Sequence, residues 1–441
     1  MKCDRIRAVF EDIKTPDIKN IARITSNKFT RNRKMSYEDF MLILLSKRGI
    51  TTTMELNNYF RKLDRTEDMV SKQAFSKQRY NLNPEVFIAL NNNYVKRIYQ
   101  DDTITKHKGY IVTAIDGSAI EIPNTTELQK EYKCTSTGQF EHRTIARALA
   151  SGVYDIENNV MIDSRISSKK GGERVLATEN IQNMTNILGT EHKIITLFDR
   201  GYISIEMLLS LHDTPIKYLF RLNSKIFKKE ISLMKSTDEF IDIDLTTNRL
   251  TKISDSMLKA KGNQLGKIKV RIVKIKLSTG EDEYLLTNLY DSTEFFTEEI
   301  GQLYYKRWGI EKAFDVIKNK LNIENMSGRK RLIVEQDFYA QMLVFNMAEN
   351  IRREANEQID SNKKAKLKYD YKVNMNVLVG TLREYMIKVL LEVDENKAEE
   401  TYNNMINEIK RSLVPIRSGR SFERKPYSGA NKHRTNLRRN S

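Results

Sequence analysis

Hydrophobic and polar positions follow two different periods along this chain, and the change between them divides it. Over the first hundred residues apolar positions recur at helical spacing. Ser36 is placed to cap a helix through Phe40-Met41-Leu42-Ile43-Leu44-Leu45 that ends at Gly49. Thr52 and Glu55 have capping-box spacing and open a second helix through Tyr59 and Phe60. Ser71 opens a third, SKQAFSKQRYNLN, which stops near Pro84. From about residue 109 the pattern becomes β-rich. Tyr110 to Ile115 reads as a strand stopped by a turn at Asp116-Gly117. Residues 144–156 and 160–166 give two more strands around Glu157-Asn158-Asn159. A helix follows with Ala177, Ile181, Met184 and Leu188 on one face and Gly189 closing it. Next come a strand over 194–198 ending at Asp199-Arg200-Gly201, a short helix near 204–212 and a strand over 217–222.

Residues 224–292 are different in character, with strands expected over 239–245 and 267–272. A shift of phase at Ile272-Val273 predicts a bulge. The polar face of this β-rich insertion carries Lys267, Lys269 and Arg271, either as a plain solvated face or as a DNA contact. From about 294 onward the chain reads as mostly helical. The fold class is therefore α/β, with helical regions at both ends.

Charge changes the picture. The 441 residues carry a formal net charge of +17, which suits a polyanionic partner, nucleic acid above all. The third helix exposes Lys72, Gln73, Lys77 and Arg79, and a helix pair followed by a short basic helix resembles a helix-turn-helix reader. The last thirty residues hold Arg417, Arg420, Arg424, Lys425, Lys432, Arg434, Arg438 and Arg439 against one acid, Glu423, and are expected to bind phosphates without reading sequence. Two cysteines and scattered histidines give neither a disulfide framework nor zinc-ligand spacing. With no apolar run long enough to span a bilayer and no signal-peptide core, a cytoplasmic protein is expected.

Chemistry enters with three carboxylates. Asp116 and Asp199 each follow an apolar strand, where a sheet opens into a ligand-binding crevice, although Asp is also an ordinary turn residue. On one continuous helix over 300–320, Tyr304, Arg307, Glu311 and Lys318 fall within an arc of roughly 60°, bordering the buried stripe. Arg307 and Glu311 are also spaced as a plain helical salt bridge. Three carboxylates from two strand ends and a helix are what two Mg²⁺ ions require, and Tyr, Arg and Lys beside them suit phosphate oxygens.

These segments resemble the insertion-sequence-four family of bacterial DDE transposases. Ala114-Ile115-Asp116-Gly117-Ser118 is similar to its first motif and Phe198-Asp199-Arg200-Gly201-Tyr202 to its second. Tyr304, Arg307, Glu311 and Lys318 fill its YREK signature, Tyr-x2-Arg-x3-Glu-x6-Lys. The stretches Tyr284-Leu285-Leu286-Thr287-Asn288-Leu289 and Ser71-Lys72-Gln73-Ala74-Phe75 are also family-like. The resemblance covers roughly residues 30–345 and implies an RNase H-like core interrupted by a β-rich insertion. The organisation then reads as a helical DNA-binding domain (1–105), a core in two parts (106–223 and 294–365), the insertion (224–293), and a helical C-terminal region with basic tail (366–441). It also implies cut-and-paste transposition by a bacterial, nucleoid-associated enzyme that acts as a homodimer on double-stranded DNA. Its partners would be the terminal inverted repeats of its element and target DNA. Family members stack a flipped base on a Trp of the insertion; here the one Trp is Trp308, on the glutamate helix, and Tyr284 or Tyr290 would take its place.

The expected mechanism has Asp116 bridging two Mg²⁺ ions, replaceable by Mn²⁺, with Asp199 and Glu311 completing one site each. Tyr304, Arg307 and Lys318 hold the scissile strand. A metal-dependent nuclease without strand transfer, or a non-catalytic DNA-binding descendant of a transposase, are the alternatives.

Overall fold

The computed structural model of the chain describes residues 2–417 apart from 32–33, 102, 135–144, 169–171, 224–225, 278 and 360–368. The basic tail beyond Arg417 lies outside the described residues. The first hundred residues are helical, as their periodicity predicts: α1 (Lys2–Lys14), α2 (Pro16–Ile21), α3 (Tyr37–Leu45), α4 (Thr52–Lys62), α5 (Lys72–Arg79) and α6 (Glu85–Tyr99). Ser36 caps α3 with a full capping box, exchanging bonds with Asp39. The Thr52–Glu55 box does not form. Thr51 is the cap residue, and Glu55 turns back so that its Oε1 accepts the N–H groups of Arg48, Gly49 and Ile50 at 2.8 to 3.1 Å. A carboxylate that satisfies three turn donors is better placed than one that satisfies a single cap.

The first strand does not stop where its sequence turns polar. β1 runs Tyr110–Glu121, straight through Asp116-Gly117, and the helix α7 (Thr126–Glu131) follows it. β2 (Arg147–Asp155) pairs antiparallel with β1 as far as Glu121↔Arg147, and ladder bonds along that whole edge override the local turn preference of Asp-Gly. β3 (Val160–Ser167) pairs antiparallel with β2, with a register shift between Val153 and Tyr154. α8 (Glu173–Leu188) then packs across β2, β3 and β1. β4 (Lys193–Phe198) lies parallel to β1 on its other edge. After α9 (Ile205–Leu211), β5 (Lys217–Arg221) runs parallel to β4.

The insertion does not form a separate layer. It contributes α10 (Lys228–Ser232), β6 (Asp238–Asp244), α11 (Thr247–Leu250), α12 (Ser256–Leu265), β7 (Lys267–Lys276) and β8 (Asp282–Thr287). β8 pairs antiparallel with β5, so one eight-stranded mixed sheet runs β3-β2-β1-β4-β5-β8-β7-β6. The bulge expected at Ile272-Val273 is absent, since the β6–β7 register is unbroken from Asp238↔Val273 to Asp244↔Lys267. The phase shift has another cause. β7 is an interior strand, and Arg271 is fully buried, bonded to both Asp238 oxygens and to the carbonyls of Leu289 and Phe295. Arg271 therefore cannot contact DNA from this face.

α13 (Thr297–Tyr305), α14 (Trp308–Asn319) and α15 (Arg331–Glu357) follow, then β9 (Tyr371–Val373), helices Met375–Leu391 and Glu395–Ile409, and β10 (Leu413–Pro415). α15, about 40 Å long at 1.5 Å per residue, packs against α6, α3 and β3 and ties the helical region to the sheet. Asn346 fastens that junction: its amide donates to Asn91 and to the carbonyl of Met161, and its oxygen accepts the Met161 N–H.

Candidate active site

Asp116 and Asp199 come side by side because two parallel strands differ in length. In the β1–β4 register Ile115 faces Phe198, and β4 ends there while β1 continues. The next residues are Asp116 and Asp199. The crevice therefore arises from the end of β4, not of β1. Asp116 accepts the N–H of Gly117 at 2.8 Å. Burial pushes its carboxyl up to about 6, against the pull of that bond and of Arg307, while Glu311 and Asp199 push the same way as burial.

The helix expected over 300–320 is two helices. α13 stops at Tyr305 and α14 starts at Trp308, with Lys306-Arg307 in a tighter turn where Arg307 N–H bonds the Tyr304 carbonyl at 2.9 Å. Gly309 eases the approach there: a Cβ would lie 3.1 Å from the Ile156 side chain, which would have to shift by a few tenths of an ångström. The break puts Arg307 at the head of α14 with its guanidinium directed into the crevice. It donates to Asp116 at 3.4 Å and to Glu311 at 2.9 Å. Arg307 is 4% exposed. Burial works against its charge, yet Tyr304, Glu311, Asp116 and Asp199 outweigh that and raise its pKa.

The other two signature positions do not gather at the same point. Tyr304 is buried, and its hydroxyl donates to the carbonyl of Phe198 at 3.3 Å, steadying the strand end from which Asp199 projects. Lys318 lies seven residues beyond Glu311, roughly 10 Å along α14. It is half-buried, and burial lowers its pKa while Glu324 and Glu121 work in the opposite direction. Its charged neighbours are those of the far end of β1, not the three carboxylates.

Sequence reasoning missed two members of this neighbourhood, Glu283 and Glu173, and gave Tyr202 only as the last residue of the second motif. Glu283, on β8, is buried, pairs with Arg221 at 2.6 Å and feels Arg307 and Asp199. Tyr202 is 1% exposed, and its hydroxyl has no hydrogen-bond partner among the described residues. Glu173 sits against Gly117 and Gly201. For Glu173 the trace in the sequence is the Gly within each Asp motif, a sign that something approaches closely.

A divalent cation suits the donor chemistry here. The set is all oxygen, one carboxyl is held above its ordinary range by burial and like charge, and Arg307, which bonds two of them, has an Nε without a partner among the described residues. As they stand, no three acidic, His or Cys side chains among the described residues form a group that could hold an ion. The Arg307 guanidinium lies between Asp116 and Glu311.

The expected DNA-reading residues separate into two groups. Lys72, Gln73 and Lys77 are exposed on α5. Arg79 is 3% exposed and cannot read DNA, because its guanidinium bonds Asp337 at 2.8 Å, Gln336 at 2.9 Å and Ser327. Its place on the buried face with Phe75, four residues earlier, follows from helical spacing. Lys77 lines a cleft of about 750 Å³ with Lys19, Lys28, Arg31 and Lys34, away from the carboxylates. Tyr284 lines a smaller cleft of about 330 Å³ with Arg221 and Lys228, whereas the Tyr290 hydroxyl donates to the Lys269 carbonyl at 2.6 Å. No described helix is long and apolar enough to cross a membrane.

Comparison with known proteins bears on this site. The chain is 24% identical over 159 residues to "Probable transposase for insertion sequence element IS5377" of Geobacillus stearothermophilus, covering 35% of this chain and 39% of that protein. It is 22% identical over 244 residues to "Transposase InsG for insertion sequence element IS4" of Escherichia coli (strain K12), covering 54% of this chain and 51% of that protein. The match thus spans about half or less of these relatives' length. Among solved structures, "Cryo-EM structure of piggyBac transposase synaptic complex with hairpin DNA (SNHP)" aligns with a TM-score of 0.43 at 13% identity, covering 90% of this chain and 84% of that one. A family model described as "Transposase DDE domain" matches residues 107–347, from the start of β1 to within α15, taking in Asp116, Asp199 and Glu311. That match covers more than half of the sequence, and the chain belongs to the transposase DDE domain family.

Proposed function

We propose that this protein is a cut-and-paste DNA transposase of the insertion-sequence-four type, cleaving DNA and joining it at a site built from Asp116, Asp199 and Glu311. The observation that carries the reading is the placement of Asp116 beside Asp199 where β4 ends, with Glu311 linked to Asp116 through Arg307. Strands β1, β4 and β5 are mutually parallel, β2 is reversed, and the order β3-β2-β1-β4-β5 supports an RNase H-like core extended by the insertion strands. The three carboxylates would hold Mg²⁺, two ions in this reading, with Mn²⁺ able to substitute. Such ions supply Lewis-acid activation of the attacking hydroxyl and stabilise the leaving oxygen.

The chain's own residues do the rest. Tyr304 keeps the end of β4 in place through the Phe198 carbonyl. Arg307 offsets carboxylate charge in the resting site and is the cation nearest to an incoming phosphodiester; Lys318, farther along α14, would meet a phosphate of the same strand. Lys72, Gln73 and Lys77 with the basic cleft beside α5 would hold the terminal inverted repeats of the element. A homodimer on double-stranded DNA, engaging target DNA with the second product end, completes the proposal.

Glu311→Gln tests it. The substitution keeps size and hydrogen bonding but removes the charge. Mg²⁺-dependent cleavage of element-end DNA and strand transfer should fall by orders of magnitude, with end binding and melting temperature near wild type. If Glu311 were only the helical partner of Arg307, the change would cost about 0.5 kcal/mol and leave cleavage intact. Cleavage without any joined product would instead favour a nuclease.

A further inference from the structure

Glu173 opens α8, and its carboxylate lies near the backbone beside both aspartates, in strand β1 at Gly117 and in the turn after β4 at Gly201. A Cβ built on Gly117 would lie 3.3 Å from Glu173 Oε1, and one built on Gly201 would lie 3.9 Å from Oε2. Gly117 directly follows Asp116, and Gly201 lies two residues after Asp199. The missing side chain at Gly117 leaves the room that the Glu173 carboxylate takes. The neighbouring Arg174 secures the arrangement, donating from Nε to the Gly201 carbonyl at 3.0 Å. An acid in the first turn of a helix is common for reasons of the helix dipole alone. Here a second observation points to a ligand. The Tyr202 side chain is 1% exposed, its hydroxyl lacks a partner among the described residues, and the charges of Asp116, Glu173 and Asp199 all bear on it. A buried hydroxyl without a partner, in the field of three acids and of Arg307, marks a polar place that the protein's own side chains leave unfilled.

We propose that Glu173 is a fourth acidic ligand of the divalent-cation site, adding its carboxylate beside Asp116 and Asp199. The inference rests on the reading of Asp116, Asp199 and Glu311 as that site. A hard cation gains from another oxygen donor, and Arg307 bonds Asp116 and Glu311 but neither Asp199 nor Glu173. Tyr202 would then be a buried neighbour of the residues that hold the ion.

Mn²⁺ binding to the full chain without DNA, followed by titration calorimetry and by the Mn²⁺-induced rise in melting temperature, tests this. Glu173→Gln should weaken Mn²⁺ binding about tenfold or more, the least that loss of even a supporting group costs a metal site, and should shrink the thermal shift. Glu179→Gln, exposed on the same helix, should change neither. If Asp116→Asn and Asp199→Asn weaken Mn²⁺ binding and Glu173→Gln does not, the fourth-ligand proposal is overturned and the three-carboxylate site stands. If the aspartate variants bind Mn²⁺ like wild type, or wild type binds none, the site itself is misread and this inference goes with it. Should Glu173→Gln not fold, Glu173→Asp, which withdraws the carboxylate by one methylene, carries the same comparison.

Discussion

Two of the buried arginines that meet aspartates in this molecule, Arg79 and Arg307, have surroundings opposite in sense. Arg79 joins the helical region to α15 by pairing with Asp337, which also binds Lys47 at 2.8 Å and Ser327. Two cations serve one carboxylate there. Burial opposes the Asp337 charge, but Arg79 and Lys47 outweigh it and hold its pKa far below the usual carboxylate range. Arg307, by contrast, is one cation shared between Asp116 and Glu311, with Asp199 close by, and Asp116 stays raised to about 6. A charge cluster built for stability balances itself. One left with surplus negative charge has room for a cation from outside, and the proposed site rests on that difference.

The contrast predicts stability changes of opposite sign. Asp337→Asn leaves Arg79 and Lys47 without their counter-charge in a buried place and should cost about 3–5 kcal/mol, read as a large fall in the urea midpoint. The sign of its pH dependence follows: Asp337 is depressed in the folded state, so its stabilisation is complete above the ordinary carboxylate pKa and is lost only as pH falls below it. A neutral-pH midpoint near wild type would show that the junction does not depend on this network.

Asp116→Asn should do the reverse. A carboxyl raised to about 6 gives the folded state more bound protons than the unfolded one between roughly pH 4 and 6, so wild-type stability from this group falls as pH rises through about 6. The Asn variant should therefore be more stable than wild type at pH 8, by up to about 3 kcal/mol, with the difference gone below pH 4. Thermal melts across that range decide it; an Asn variant less stable than wild type at pH 8 would make Asp116 a structural residue.

Ser36→Ala touches neither cluster and sets the scale. Losing the cap of α3 should cost about 1 kcal/mol. A loss as large as that of Asp337→Asn would mean that the caps, not the charges, hold the helical region together. The smallest effect on stability belongs to the triple change of Lys72, Gln73 and Lys77 to Ala, expected within about 0.5 kcal/mol of wild type. Its signature lies in DNA binding, where the salt dependence should flatten by roughly one unit of slope for each phosphate that is no longer neutralised. Unchanged salt dependence and end discrimination would remove α5 and its cleft as a DNA surface.

Much of the fold is legible in the sequence. Ser36 and Ser71 cap the helices their positions predict, and the strands over 110–115, 160–166, 194–198 and 217–222 form as their runs of Ile, Val, Leu and Phe indicate. What failed depended on neighbours far along the chain. Asp116-Gly117 looks like a turn because its preferred local conformation is one, but β2 extends the ladder past it. Lys267, Lys269 and Arg271 look like one polar face, yet a strand between two others can bury an arginine if Asp238 and two carbonyls meet it. Arg79 looks like a surface cation until Asp337, 258 residues away, accounts for it.

The sequence by itself determined the candidates for the proposed chemistry: carboxylates after apolar strands, an Arg and Glu four apart, and basic residues in excess. Those choices are local, since strand propensity, capping and helical spacing act over a few residues. Only the tertiary structure decided how they meet. The unequal lengths of β1 and β4 set Asp116 beside Asp199, a break at Lys306-Arg307 aimed one guanidinium between Asp116 and Glu311, and the bare backbone of Gly117 admitted Glu173. Each depends on strand pairing and close packing between distant segments, which no local pattern encodes.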